Sequence, residues 1–235
     1  MPVKRSSRSA LDETAAVAEK TASSRARLDP EHIVATGLEL AATGASAISV
    51  RELGARLGAD PTAIYRHFRS KDDLMRALLD EVTLRALGSV DVPLEDWRGR
   101  LRAMARATLD LYSEYPAVGA EGTTLTTHGP GELGAIELML QAFTTAGLGE
   151  ADVVRHYALL ASHILSTAAG IARARAERTD DEPDGPWFDE PPLADPRRYP
   201  RIAEHTMALA SLRDRELFFL GVEQILDSAE RIAAR

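Results

Sequence analysis

The sequence predicts an all-α protein with a small N-terminal helical domain and a larger C-terminal helical domain. Apolar side chains recur three and four residues apart from Asp29 onward, which is the period of a helix that buries one face. No segment shows the alternation of apolar and polar residues that predicts a half-buried strand. The 235 residues can bury a hydrophobic core without disulfides, and the chain contains no cysteine.

The missing cysteine excludes disulfide frameworks, thiolate metal sites and cysteine nucleophiles. The N-terminus is basic, but no apolar run of signal-peptide length follows it, and no later stretch is apolar enough to span a bilayer. These features predict a cytoplasmic protein.

The net charge of −8 is distributed unevenly. Residues 1–85 contain 13 Lys and Arg against 12 Asp and Glu, a charge of +1, whereas residues 86–235 contain 15 against 24, a charge of −9. Phosphate attraction depends on the charge of the contacting face. The N-terminal part can therefore bind a polyanion although the whole chain is acidic.

Local signals predict the helices of the N-terminal part. Residues 1–28 have few large apolar side chains and predict a flexible arm. The first helix begins with Asp29 as N-cap, the second follows Ser49, the third begins around Asp60 and Pro61, and Ser70 caps the fourth. The inward-facing side chains of the second and third helices are Leu53, Leu57, Ile64 and Phe68.

The segment from Ser49 to Lys71, SVRELGARLGADPTAIYRHFRSK, predicts a helix-turn-helix, because two short helices are separated by a tight turn that contains glycine. With the apolar residues assigned to the core, donors, small groups and a phenol remain on the outer face of the third helix. These residues are Thr62, Ala63, Tyr65, Arg66 and His67. Such side chains can contact phosphates and base edges of duplex DNA.

The run IYRHFRSKDDL resembles the DNA-binding domain of the tetracycline-repressor (TetR) family. Two later segments, LEDWRGRLRAMARATLDLYSEYPA and RELFFLGVEQILDSAERI, resemble helices of the subgroup with the tetracycline repressor's own C-terminal domain. The resemblance implies a homodimer that binds operator DNA without ligand and releases it when an effector enters the C-terminal domain. It also implies a helix-turn-helix DNA-binding domain at 29–75 and a regulatory and dimerisation domain at 76–235.

The resemblance assigns the DNA contacts residue by residue. They are Arg51, Thr62, Ala63, Tyr65, His67 and Lys71. Arg51 is expected to read a base, because a guanidinium can bind guanine bidentately. Tyr65, His67 and Lys71 are expected to contact the phosphate backbone. The histidines that hold a magnesium–tetracycline chelate in the tetracycline repressor have no counterpart in residues 83–89 or 117–123, so a ligand of that kind is not expected.

Apolar and polar residues of the predicted C-terminal helices suggest a ligand pocket. The candidate lining residues are Trp97, Met104, His128, Met139, Phe143, Tyr157 and His163. Ordinary core packing remains the alternative for the apolar members. His156 and His163 share a helix face, and core or pocket positions are favoured there over a metal site. We expect no cofactor, no metal and no catalytic residue.

Two segments with small or apolar residues predict a dimeric four-helix bundle, with packing inside one chain as the alternative. They are the small-residue run Ala161, Ser162, Ala168, Ala169, Gly170 and Ala172, and the stripe Leu217, Leu220, Ile225 and Ile232. The acidic run from Asp180 to Asp184 predicts a solvated loop.

The sequence therefore predicts a ligand-responsive transcriptional regulator that represses through a palindromic operator. The alternatives are a DNA-binding protein without an effector and, as a different class, a small-molecule enzyme, for which no nucleophile with a base and no metal cluster is found. Activation of transcription is the alternative to repression.

Overall fold

The computed structural model of the chain describes residues 28–44, 47–176, 185–188 and 190–235. Every regular element in these ranges is helical, and extended backbone pairs there only at an isolated antiparallel bridge between Pro186 and Arg213. The α-helices in chain order are α1 (Pro30–Ala41), α2 (Val50–Leu57), α3 (Pro61–Ile64), α4 (Lys71–Gly88), α5 (Trp97–Glu114), α6 (Pro116–Gly119), α7 (Pro130–Thr145), α8 (Glu150–Ala176), α9 (Pro200–Ala210) and α10 (Asp214–Ala233). A 3₁₀-helix, Ala120–Thr123, follows α6. The predicted all-α fold is confirmed.

Two predicted segments lie outside the described residues. The first is the N-terminal arm, of which only Leu28 is described. The second is the acidic run from Asp180 to Asp184.

Helices α1 to α3 form a small N-terminal head around a shared apolar core. The Asp29 carboxylate accepts the backbone N–H of His32 at 2.8 Å, and Pro30 occupies the first helical position, so α1 begins where the sequence predicts. The core of the head contains the buried side chains Ile33, Leu38, Leu53, Ile64 and Phe68.

Helix α4 connects the head to the rest of the chain, which we call the body. Ser70 caps α4 by accepting the backbone N–H of Asp73 at 3.1 Å. On one side of α4, Leu78 packs against Gly37 of α1, where a Cβ would collide with the leucine. On the other side, Leu79 contacts the body. One rigid helix therefore contacts both parts of the molecule.

The body consists of α5 to α10, and the long helix α8 packs against α5, α7 and α10. Arg98 of α5 also holds α10 through three carboxylates: Asp227 at 2.6 Å, Glu230 at 2.8 Å and Glu223 at 3.0 Å. These carboxylates are partly exposed, so each pair contributes at most about 1 kcal/mol to stability. Burial of the apolar helix faces therefore contributes most of the stability of the body.

The third helix is shorter than the sequence predicts. It was expected to carry Ile64 and Phe68 on one inner face, but α3 ends at Ile64. Beyond it, the N–H groups of Arg66 and His67 bond to carbonyls three residues back, so the chain continues as a tighter turn that still buries Phe68.

His156 of α8 is a hydrogen-bonded core residue. Its Nδ1 lies 2.8 Å from the carbonyl oxygen of Asp152, which can only accept, so Nδ1 carries a proton. Its Nε2 lies 3.4 Å from the Ser228 hydroxyl. This environment agrees with the core position favoured for His156 over a metal site. None of the described helices has both the length and the apolarity needed to cross a membrane.

Candidate nucleic-acid interface and internal cavity

Two glycines allow α2 and α3 to form a tight helix-turn-helix. Gly58 ends α2 in the left-handed region, with φ of +61°, which side chains with a Cβ rarely adopt. A Cβ at Gly54 would lie 2.9 Å from the carbonyl oxygen of Ala59, so this glycine lets the turn approach α2 closely. The sequence between Ser49 and Pro61 thus fixes the angle at which α3 is presented.

Asp60 fixes the start of α3. Its Oδ1 accepts the backbone N–H of Thr62 at 2.8 Å and the hydroxyl of Thr62 at 2.7 Å. These hydrogen bonds stabilise the carboxylate and hold the pKa of Asp60 below its usual value. The backbone at the N-terminus of α3 is therefore ordered before any partner binds.

The side chains predicted to contact DNA lie on the surface of the head. Arg51, Thr62, Tyr65, His67 and Lys71 are exposed. The sixth predicted contact, Ala63, is half-buried beside them. None of these six has a salt bridge within the described part of the chain. The cationic and hydrogen-bonding groups of this surface are thus available to a polyanion.

The body contains a cavity of about 90 Å³ between α4, α5, α7 and α8. Most of its wall is apolar and includes Leu79, Met104, Ala135, Met139, Ile164 and Leu165. The polar residues that line it come from the same helices and the loop before α7. They are Thr83, Thr108, Tyr112, Thr127, Glu132 and Tyr157. This mixture of apolar wall and a few polar groups is typical of a small-molecule site.

The structure places three of the seven predicted pocket residues on the cavity wall: Met104, Met139 and Tyr157. Trp97 and Phe143 lie outside it and pack against each other, with ring centroids 6.4 Å apart. These two residues have the spacing of a helical core, which the sequence could not separate from that of a pocket wall.

The two predicted histidine anchors also lie outside the cavity wall. His163 points towards α10, where its Nε2 lies 2.9 Å from the carbonyl oxygen of Phe218 and its ring stacks on the Phe218 ring. His128 is exposed, in the loop before α7, with a left-handed φ of 55°. The position of His163 depends on its contact with α10, which is distant in the sequence.

Sequence reasoning missed Tyr112, Thr127 and Glu132 on the cavity wall. Tyr112 could have been noticed, because it lies eight residues after Met104 and thus on the same face of α5. Thr127 and Glu132 give no such signal, because Thr127 lies in the loop before α7 and Glu132 lies in the first turn of α7, which a contact with Asp80 of α4 holds in place.

A hydrogen-bonded junction joins α4 to the cavity wall. The Asp80 carboxylate of α4 accepts the backbone N–H groups of Gly131 at 3.1 Å and Glu132 at 3.0 Å, and the Thr127 hydroxyl at 2.7 Å. A carboxylate is favourable at this helix N-terminus. A Cβ at Gly131 would collide with the backbone carbonyl of Asp80, so the two helices approach as closely as they do because of this glycine. We call these contacts the α4–α7 junction.

Comparison with known proteins identifies the family. The family model for the N-terminal domain of bacterial regulatory proteins of the TetR family matches residues 33–78, which include α2, α3 and their turn. The model for the tetracyclin repressor-like C-terminal domain matches residues 91–231, more than half of the chain. The chain belongs to the TetR family. The resemblance inferred from the sequence is confirmed, and the chain is a transcriptional regulator.

Similar proteins match this TetR-family regulator along most of its length. The transcriptional repressor DrrR1 of Streptomyces coeruleorubidus is 26% identical over 215 residues, which cover 87% of this chain and 78% of DrrR1. The transcriptional repressor Rv1353c of Mycobacterium tuberculosis is 29% identical over 217 residues, covering 88% and 82%. A crystal structure of a putative transcriptional regulator from Streptomyces coelicolor superimposes with a TM-score of 0.69 at 28% identity, covering 87% and 98%.

Membership of the TetR family has consequences for the other hypotheses. Proteins of this family are regulators rather than catalysts, so the enzyme hypothesis does not apply to this chain. Within the described ranges, no three His, Asp or Glu side chains come together as a possible metal site.

Proposed function

We propose that this TetR-family regulator is a ligand-responsive repressor that acts in the bacterial cytoplasm. In this proposal, a homodimer holds a palindromic operator through its two heads and releases it when a small molecule enters the cavity. One observation carries the proposal: α4 supplies Leu79 and Thr83 to the cavity wall and also packs Leu78 against the head. A change in the cavity therefore acts on the helix against which the head packs.

The size of the cavity explains how binding would move α4. At about 90 Å³ it is smaller than the engineered cavity of about 150 Å³ that holds benzene, and far below the 300 Å³ or more typical of drug-sized ligands. We expect a ligand of ordinary size, which exceeds this volume, to push the surrounding helices apart. Such a ligand binds better to a conformation with a displaced α4, and this difference in affinity alone weakens operator binding.

The α4–α7 junction supplies a second connection between the cavity wall and α4. Because Asp80 bonds to the first turn of α7, a ligand that displaces Thr127 or Glu132 also pulls on α4. We propose the division into a DNA-binding domain at 29–75 and a regulatory domain at 76–235. The boundary falls inside α4, as the coupling between the two functions requires.

Exposed side chains on α8 and α10 support the homodimer. On α8, Leu159, Ser162, Ser166 and Gly170 are exposed on one face, whereas Ala168, Ala169 and Ala172 of the predicted run are buried within the chain. On α10, Leu220 is exposed. A second copy that covers these faces with its own α8 and α10 would form a four-helix bundle.

The test begins with selection of bound sequences from random double-stranded DNA. We expect an inverted repeat, because each head of a two-fold symmetric dimer reads one half-site. Gel shifts with the selected DNA then compare Tyr65→Ala with Tyr199→Ala. The two tyrosines are equally exposed, at 46% and 45%, but Tyr199 lies beside α9.

Tyr65→Ala is expected to weaken operator binding by about tenfold or more, while the dimer stays intact in light scattering and Tyr199→Ala binds like the parent. Affinity of the parent protein is also expected to fall steeply as salt rises, because phosphate contacts release counterions. Unchanged binding by Tyr65→Ala, or no sequence selected at low salt, contradicts the proposed interface.

A further inference from the structure

The hydroxyl of Tyr112 lies at the cavity wall and has no hydrogen-bond partner among the described residues. The side chain is 1% exposed and lines the cavity, and Gly122 leaves room for its hydroxyl, since a Cβ there would collide with the oxygen. No donor or acceptor among the described residues bonds to this hydroxyl. Burial raises the pKa of Tyr112, so the phenol keeps its proton at neutral pH. It is a neutral donor that faces the cavity.

The other hydroxyls of the cavity wall are less available as donors. Thr83 donates to the carbonyl of Leu79 and Thr108 to that of Met104, each at 2.9 Å. The Thr127 hydroxyl carries one proton, and it lies 2.7 Å from Asp80. Tyr112 is therefore the donor best placed to meet a hydrogen-bond acceptor on a ligand. An unpaired buried hydroxyl costs free energy that such an acceptor would recover.

Glu132 sets the charge of the cavity. It is the one charged side chain among the described residues that line it. Its Oε2 accepts the backbone N–H groups of Thr127 at 2.8 Å and His128 at 2.6 Å, and the residue lies in the first turn of α7. Its Oε1 receives no hydrogen bond within the part of the chain described. Burial is the main cause that raises the pKa of the Tyr157 phenol, and the negative charge of Glu132 raises it further.

We propose that the effector is a largely apolar molecule whose net charge is zero or positive. It offers a hydrogen-bond acceptor to the Tyr112 phenol and a hydrogen-bond donor to the Glu132 carboxylate. This inference rests on the proposed function and names the class of ligand for the same cavity. Anions are rejected, because an anion would be desolvated beside a carboxylate with no cationic side chain on the described wall. The polar groups thus select by charge and the apolar wall provides the affinity.

Three small probes of nearly identical shape separate these contributions. Benzamide is neutral and offers an acceptor and donors, benzamidine is a cation with donors only, and benzoate is an anion with acceptors only. Binding to the full-length dimer is measured by saturation-transfer NMR and calorimetry at millimolar concentration. We expect benzamide and benzamidine to bind and benzoate to bind at least about tenfold more weakly. Benzoate binding as tightly as benzamide, or no binding by any of the three, overturns the proposal.

Two variants, each with a matched control, test which side chain causes the selectivity among the three probes. Glu132→Gln is expected to reduce benzamidine affinity about fivefold or more while benzamide still binds, and Glu137→Gln, an exposed residue of α7 outside the cavity wall, is its control. Tyr112→Phe is expected to weaken benzamide and to leave benzamidine nearly unchanged. Its control is Tyr115→Phe, because the Tyr115 hydroxyl bonds to Arg85 rather than facing the cavity. Equal effects of a variant and its control contradict the assignment.

Failure of this inference can be distinguished from failure of the proposed function. If the protein selects an operator but binds benzoate as well as benzamide, the ligand class is wrong and the repressor proposal stands. If the three probes bind in the expected order but no DNA sequence is selected, the repressor proposal is wrong and the cavity still binds ligands of this class.

Discussion

In the head, the side chains predicted to contact DNA are mostly exposed and come from one stretch between Arg51 and Lys71. In the body, the polar groups of the cavity come from four helices and one loop between Thr83 and Tyr157. The head is nearly neutral, and the body carries the negative charge of the chain. A surface of this kind can bind a large polyanion without moving, whereas a small cavity has to open. Substitutions on the head surface should therefore change DNA affinity alone, and those at the cavity and the α4–α7 junction should also change stability.

The largest expected effect comes from the core beneath the DNA-binding surface. Ile64→Ala removes a fully buried side chain of α3 and should destabilise the head by about 2–5 kcal/mol, with loss of operator binding. The exposed neighbour Arg66→Ala should leave stability unchanged. Hydrogen exchange read separately for head and body checks this result. Equal loss of protection in both parts would contradict the separation of head and body.

The second-largest effect is a loss of stability when the close contact between α4 and α7 is disturbed. Gly131→Ala introduces a Cβ that collides with the Asp80 backbone, and should destabilise the protein by about 1–3 kcal/mol in urea unfolding. Gly88→Ala, at the end of α4, meets open space and should be neutral or stabilising by up to about 1 kcal/mol. A similar loss of stability in both variants would argue against a tight junction.

A smaller effect is expected at Lys71, which is exposed at the start of α4. Lys71→Ala should weaken operator binding by about 1 kcal/mol for each head and lower the slope of affinity against salt by about 1 per head, with an unchanged melting temperature. Arg201→Ala, on α9, serves as the control. An unchanged salt slope for Lys71→Ala would show that this cation does not contact phosphate.

The smallest effect is a pH dependence that comes from Asp60. Its pKa is lower in the folded state, so its stabilisation of α3 is present above the usual pKa of 3.8 and is lost as the pH falls through the folded value. Urea unfolding of the head should show Asp60→Ala as less stable than the parent at pH 7, and the difference should shrink below pH 3.8. Asp60→Asn keeps an acceptor but cannot titrate, so an unchanged pH profile in that variant would contradict this role.

The head could be predicted from the sequence because its signals are local. Asp29, Ser49 and Ser70 each accept a backbone N–H at the start of a helix, and Gly58 ends α2, as their positions indicate. A cap or a turn depends on a few neighbouring residues, so its geometry can be read without knowledge of the rest of the fold.

The cavity could be predicted only in part, because it depends on packing between distant helices. Met104, Met139 and Tyr157 line it as proposed, but Trp97 and Phe143 have the same kind of spacing and pack in the core. Glu132 reaches the wall because Asp80 holds the first turn of α7 against α4, a contact between residues 52 positions apart. No local pattern contains that information.

The distance between the two heads of the proposed dimer can be measured directly with spin labels. Because the chain has no native cysteine, a label attaches only at an introduced one. A single spin label at Arg56→Cys, an exposed site on α2, gives one label per head, and double electron–electron resonance reports their separation on the selected operator. Two heads in successive major grooves should give one narrow distribution near the groove spacing of about 34–36 Å. The absence of a dipolar signal, or a broad distribution that the operator does not narrow, would contradict a dimer that grips DNA with both heads.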